Sequence, residues 1–102
     1  MVTKYRVEIT PSAQGDIEEI WTYISHDNPA QASKFILNLE KQLSTLERFP
    51  QRCPLIRENE VLGTHYRHLL FGDYRTLFEI IEKTVYVMRI IHGSRLLDVS
   101  FE

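Results

Sequence analysis

The alternation of apolar and polar side chains divides the chain into four strands and two helices. Residues 4–9 alternate strictly, as expected for a strand buried on one face. Two apolar stripes at helical spacing follow, and each begins with a capping residue and a proline, Thr10-Pro11 and Asn28-Pro29. The second stripe ends before Pro50. Segments rich in Val, Ile, Phe and Tyr then predict three strands, at 66–71, Tyr74–Ile81 and Thr84–His92.

The order of these elements predicts the fold class. One strand, two helices and three strands indicate an α+β domain, β-α-α-β-β-β, with a helical hairpin packed on one face of a mainly antiparallel four-stranded sheet. Residues 50–64 contain two prolines and a glycine and are predicted to form an irregular connection. The chain has 102 residues, so we expect one domain over 1–102.

Composition limits the classes of function. Apolar residues make up 43% of the chain and charged residues 25%, and no apolar run is long enough to span a membrane. Cys53 is the only cysteine, so no internal disulfide can form. The four histidines have no metal-ligand spacing, and we expect neither a metal nor a cofactor. These features favour a cytoplasmic protein.

Charge is close to balanced. The formal net charge is −2, with 12 Lys plus Arg against 14 Asp plus Glu. A protein that binds nucleic acid usually has a basic surface, so such binding here would require a local cluster of basic side chains. Asp16, Glu18 and Glu19 in the first helix are expected to form a solvated face.

The turns at Gly72-Asp73 and Glu82-Lys83 predict the strand register. With two-residue turns, Arg75 lies opposite Leu70 on one side and opposite Ile90 on the other. A one-residue bulge at Gly72 would reverse the faces. One face is more apolar and is expected to contact the helices; its members are Arg67, Leu69, Phe71, Tyr74, Thr76, Phe78, Ile80, Val85, Val87, Arg89 and Ile91.

The other face has a candidate site. In the predicted register Arg75 lies diagonally between His68 and His92. A guanidinium holds a phosphate well, and imidazoles transfer protons near neutral pH, so the cluster would suit attack by a ribose 2′-hydroxyl on the adjacent phosphate. Alternatively, Arg75 pairs with Glu79 and the histidines are ordinary edge residues. Arg67 and Arg89 point toward the helices in this register and are expected to reach solvent at the rim of the sheet.

Three segments resemble a known family. The first helix, "TPSAQGDIEEIWTYI", the first hairpin, "YRHLLFGDYRTLFEI", and the end of the last strand, "VYVMRIIHGSR", resemble the RelE/ParE superfamily of toxins from type II toxin-antitoxin systems. The resemblance covers about residues 4–95 in the same element order. It implies a small toxin that a cognate antitoxin, usually a small DNA-binding protein, holds inactive in a hetero-oligomer.

The superfamily has two functional branches. RelE-like members cut mRNA in the ribosomal A site, whereas ParE-like members inhibit DNA gyrase. By resemblance, Arg75 corresponds to an arginine that contacts the scissile phosphate, Arg67 and Arg95 to further basic residues, and His92 lies near a catalytic histidine of some members. His68 is added from the predicted register.

Departures from the nuclease pattern favour the ParE-like branch. A basic residue expected on the strand of Arg67 is replaced by Leu69, and the C-terminal tyrosine by Phe101, which cannot transfer a proton. The expected target is therefore gyrase, with two alternatives: a ribosome-dependent endoribonuclease, or an inactive homologue that only binds antitoxin. The antitoxin is expected to bind in the groove between the helical hairpin and the sheet edge, at Trp21, Phe35 or Leu39.

Overall fold

A computed structural model of the chain describes residues 4–95. The helices and strands follow the predicted order, with three short helical elements added between the second long helix and the second strand: 3₁₀ turns at Thr45–Glu47 and Pro50–Arg52, and a four-residue α-helix. The elements are β1 (Arg6–Ile9), α1 (Pro11–Ser25), α2 (Pro29–Ser44), α3 (Asn59–Leu62), β2 (Arg67–Phe71), β3 (Tyr74–Ile81) and β4 (Thr84–His92). None of these helices has the length and apolar content needed to span a bilayer.

Both long helices begin at the predicted capping residues. The hydroxyl of Thr10 accepts a hydrogen bond from the Ala13 amide at 3.3 Å, and the Asn28 side chain accepts one from the Gln31 amide at 3.1 Å. The Thr10 hydroxyl also donates to the carbonyl oxygen of Val87, at 2.7 Å. The residue that starts α1 therefore also joins the helix to β4.

The four strands form one sheet in the order β1-β4-β3-β2. β1 runs parallel to β4, and the other two pairings are antiparallel, so the predicted α+β fold with a mainly antiparallel sheet is confirmed. The helical hairpin covers one face, where the core includes Leu39, Leu43, Phe78, Val85 and Val87. On the opposite face, Ile56 from the connection packs against Leu77 and Ile91.

The register of the last hairpin differs from the prediction. Leu70 lies opposite Arg75 as expected, and the turn at Gly72 has no bulge. However, Arg75 lies opposite Ile91 and not Ile90, because the pairing shifts by one residue in the middle of β4. Leu77 pairs with Arg89 and Phe78 with Val87, which leaves Met88 as the extra residue of a β-bulge.

Arg89 forms an ion pair with the first helix. The Arg89 Nε donates to Asp16 Oδ2 at 2.7 Å, and Nη2 donates to Oδ1 at 3.1 Å. The same carboxylate accepts the backbone N–H of Ile90 at 2.8 Å, on the edge of β4 that the short β1 does not cover. The hydrogen bond to Asp16 raises the pKa of the Arg89 guanidinium. Asp16 is only 8% exposed, so the expectation that it belongs to a solvated face was wrong.

Substituting Asp16→Asn should lower the free energy of unfolding by about 2 kcal/mol, because the substitution removes the charge that pairs with Arg89 and weakens the acceptor of the Ile90 amide. Urea denaturation measures this difference. Glu18→Gln is the matched control, since Glu18 is an exposed carboxylate on the same helix, and its effect should stay within about 0.5 kcal/mol. Equal losses in the two variants would contradict the structural role of Asp16.

The turn between β3 and β4 contains a residue in a strained backbone conformation. Glu82 has φ 57°, a left-handed conformation in which the Cβ of an L-residue crowds the backbone. Glu82→Gly should therefore raise the free energy of unfolding by about 0.5–1 kcal/mol. Lys83→Gly, in the neighbouring turn position without a positive φ, should lower it instead. Thermal denaturation of both variants measures the difference, and a loss of stability in Glu82→Gly would refute this account.

Candidate functional site

Arg75 lies on the sheet face opposite the helical hairpin and is 6% exposed. Its Nη1 donates to Glu58 Oε1 at 3.3 Å, and its Nη2 contacts Glu58 Oε2 closely. The same Nη2 donates to the carbonyl oxygen of Arg95 at 2.7 Å. The predicted partner on β3, Glu79, is thus replaced by a carboxylate from the connection between α2 and β2.

Residues 54–66 cover this face of the sheet, and we call them the covering segment. The Ile56 amide donates to the Tyr66 carbonyl at 3.0 Å, which closes the segment into a loop. The Asn59 side chain binds inside the loop, because its Oδ1 accepts from the Tyr66 amide at 3.0 Å and from the Thr64 hydroxyl at 2.7 Å. These bonds hold Glu58, one residue earlier, over Arg75.

His68 lies next to this ion pair. It shares the sheet face with Arg75, and its buried Nδ1 has no hydrogen-bond partner in the structure. Burial lowers the pKa of the His68 imidazole, the Arg75 charge lowers it further, and Glu58 partly opposes both effects. His68 is therefore biased toward its neutral form.

His92 is not part of this cluster. Because of the bulge it pairs with Tyr74 and lies on the face of the sheet that the helices cover. The two rings are 5.7 Å apart in an edge-to-face arrangement, and His92 Nδ1 is 2.8 Å from the Ser94 hydroxyl. The predicted arrangement of Arg75 between two histidines is therefore wrong: His68 is its neighbour, and His92 faces the other way.

The other two candidate arginines have different surroundings. Arg67 Nη1 donates to the carbonyl oxygens of Cys53 at 2.6 Å and Gln51 at 3.2 Å, so its guanidinium fixes the start of the connection. Its side chain is partly buried at the sheet edge, near the rim as expected. The side chain of Arg95 is exposed, while its carbonyl accepts from Arg75. The last departure noted in the sequence, Phe101, lies outside the described residues.

Two of the cavities beside the candidate residues lie on opposite faces of the sheet. One, of about 570 Å³, lies on the covered face and is lined by Arg57, His68, Leu70, Arg75, Gly93 and Ser94. The other, of about 290 Å³, lies between α1 and β4, and its lining includes Tyr23, Tyr74, His92 and Arg95. Within residues 4–95, no group of three or more His, Cys, Asp or Glu side chains is placed to hold a metal ion.

The three residues expected to contact an antitoxin differ in exposure. Trp21 is 41% exposed on α1. Phe35 is partly buried against Phe71 and Tyr74, with ring centroids 5.2 and 5.7 Å away. Leu39 is completely buried in the core, so its side chain cannot act as a surface anchor in this conformation.

From the sequence, Asp16 was misjudged, and both the bulge in β4 and the role of Glu58 were missed. Asp16 lies three residues after Ala13 and four before Ile20, inside the apolar stripe of α1, and this spacing was a signal that it is buried. The spacing of Val87 and Ile90, three residues instead of two, was a signal of the bulge between them. Glu58 lies in an irregular segment, and no local pattern identifies it as the partner of Arg75.

Comparisons with known proteins agree with this architecture. A family model described as the ParE toxin of the type II toxin-antitoxin system parDE matches residues 7–97. A solved structure of a chromosomal ParDE toxin-antitoxin system from P. aeruginosa superposes with a TM-score of 0.71 at 22% identity, covering 88% of this chain and 97% of that one.

A second structure is that of the toxin-antitoxin complex RelBE2 from Mycobacterium tuberculosis. It superposes with a TM-score of 0.60 at 26% identity, over 88% of this chain and 92% of that one. No curated protein matches the sequence. The similarity to solved structures therefore supports the fold, and the family model identifies the kind of protein.

The lowered pKa of the His68 imidazole predicts that the protein loses stability in acid. The pKa of His68 lies below 6.5 in the folded state, so the unfolded chain binds more protons once the pH falls below that value. The contribution of the neutral His68 side chain to the free energy of unfolding is complete above pH 6.5. It is lost as the pH falls through the lower pKa of the folded state. Urea denaturation between about pH 5 and about pH 8 should show a smaller acid loss for His68→Gln than for the wild type.

The matched control for this experiment is His65→Gln, because His65 is an exposed histidine three residues earlier. That variant should keep the pH dependence of the wild type. An unchanged pH dependence in His68→Gln would show that the imidazole does not titrate differently on folding.

Proposed function

The chain belongs to the ParE toxin family of type II toxin-antitoxin systems, and we propose that it arrests bacterial growth by binding DNA gyrase until a cognate antitoxin neutralises it. In this proposal the toxin acts through a protein contact and uses no catalytic residue. The antitoxin is a small protein that binds the toxin directly.

The observation that carries this proposal is the engagement of Arg75. An arginine that contacts a scissile phosphate needs free N–H groups on its fork. Here Nη1 and Nη2 already donate to Glu58, and Nη2 also donates to the Arg95 carbonyl. The two terminal nitrogens of the arginine that, by resemblance, contacts phosphate in the nucleases are therefore engaged within the protein.

Overall charge supports the same conclusion. A ribosome-dependent nuclease must bind many RNA phosphates, and each contact requires a basic side chain. The net charge of −2 gives no such excess. Arg67, a second candidate for phosphate binding, instead donates to two backbone carbonyls.

The runner-up function, mRNA cleavage, is favoured by one separate observation. His92 and Arg95 line the same cavity as Tyr23 and Tyr74, so an imidazole, a guanidinium and two phenols lie around one space of about 290 Å³. That set includes groups able to transfer a proton and to hold a phosphate. A nuclease of this kind would use the helix-facing side of β4 and not Arg75.

For the antitoxin we propose a contact centred on Trp21, which is exposed on α1, and including Phe35, which is partly buried on α2. Both named structural neighbours come from toxin-antitoxin systems, and one is described as a complex. An amphipathic segment would place an apolar side chain against the indole. We leave Leu39 out of this contact because it is buried.

Parallel assays of the purified chain separate the two functions. With DNA gyrase, relaxed plasmid and ATP, the chain should suppress the formation of supercoiled plasmid. In a reconstituted translation reaction, toeprinting should show intact mRNA. Albumin at the same concentration is the control in both assays.

Cleavage within A-site codons, together with unaffected supercoiling, would refute the gyrase proposal. In that case His92→Gln should abolish the cleavage if the cavity between α1 and β4 is the active site. Absence of both activities would indicate a homologue that only binds its antitoxin.

A further inference from the structure

The covered face of the sheet contains buried nitrogens that make no hydrogen bond with the described part of the chain. These atoms are Nε of Arg75 and Nδ1 of His68, which lack a partner within residues 4–95. Both residues line the cavity of about 570 Å³, together with Arg57 and Ser94. A buried polar atom without a partner costs free energy, so two of them beside one cavity require an explanation.

The groups around this cavity suit an oxyanion. The Arg75 side chain is more than nine-tenths buried and is fixed from two sides, by Glu58 and by the Arg95 carbonyl. Arg57 is exposed at the rim of the cavity and forms no ion pair within the described part of the chain. A fixed guanidinium and a second guanidinium at the rim together provide directional donors for phosphate oxygens.

Glu58 changes what this set of groups can bind. Its two carboxylate oxygens lie against Nη1 and Nη2 of Arg75, the position that two oxygens of a phosphate would take. Glu58 is 8% exposed and belongs to the covering segment, which Asn59 closes by its bonds to Tyr66 and Thr64. The carboxylate thus neutralises Arg75 and repels any anion that enters the cavity.

We propose that Glu58 is a specificity-determining residue, which occupies an oxyanion site formed by Arg75 and Arg57 and so prevents this face of the sheet from binding phosphate. The inference deepens the proposed function, because it names the group that keeps a nucleic-acid backbone from the sheet. Loss of the carboxylate opens the site, and inorganic phosphate then binds beside Arg75.

The test is a titration of the folded chain with inorganic phosphate, at constant ionic strength, followed by NMR of the Arg75 Nε–H and the His68 ring. Glu58→Ala removes both the charge and the bulk of the side chain. Glu60→Ala is the matched control, because Glu60 is an exposed carboxylate of the same covering segment. Glu58→Ala should bind phosphate at least about tenfold more tightly than either the wild type or the control.

The double variant Glu58→Ala/Arg75→Gln should lose that gain, which assigns the binding to Arg75. A folded Glu58→Ala variant that binds phosphate no more tightly than Glu60→Ala overturns the proposal. Should Glu58→Ala fail to fold, Glu58→Gln, which keeps the shape of the side chain, takes its place with the same expected gain.

If neither variant folds, the phosphate titration of the wild type tests the proposal. Phosphate-induced shifts at Arg75 of the wild type overturn the proposal, and their absence supports it. No gyrase is present in these experiments, so their failure leaves the gyrase proposal standing. Conversely, a failure to inhibit gyrase does not change the phosphate result.

Discussion

The β-bulge at Met88 determines which face of the sheet each side chain of the last third of β4 occupies. Before the bulge, Val85 and Val87 belong to the core beneath the helices, and after it Ile90 does so. His92 shares that face with Ile90, and Arg89, beyond the end of β1 at the edge of the sheet, pairs with Asp16 on α1. Without the bulge the last third of β4 would present its side chains to the wrong layers.

Two carboxylates complete this arrangement from outside the sheet. Asp16 accepts the Ile90 amide where β1 ends, and so satisfies a strand edge that would otherwise lack a partner. Glu58 neutralises the arginine on the opposite face. Each carboxylate joins a covering element, α1 or the covering segment, to a cationic side chain of the sheet, and so each fixes one layer of the fold in place.

Much of the fold could be predicted from the sequence, because local chemistry determines it. The capped starts of α1 and α2, the two-residue turns and the alternation of β3 each depend on residues that are adjacent in the chain. The candidate site was harder to predict. The face that His92 occupies depends on one bulge. The partner of Arg75 comes from an irregular segment, which is held by hydrogen bonds between Asn59 and residues five and seven positions later in the chain. Periodicity carries no information about such contacts.

The parallel pairing of β1 with β4 has a consequence for how the protein folds. The Thr10 hydroxyl and the Val87 carbonyl that it binds are 77 residues apart in the chain. Closing such a long loop costs conformational entropy, and this cost is offset only by the contacts that form afterwards. Folds that depend on such contacts therefore form slowly. During synthesis the first strand must remain without its partner until the last strand has left the ribosome. The sheet is therefore completed only after the last strand has been made.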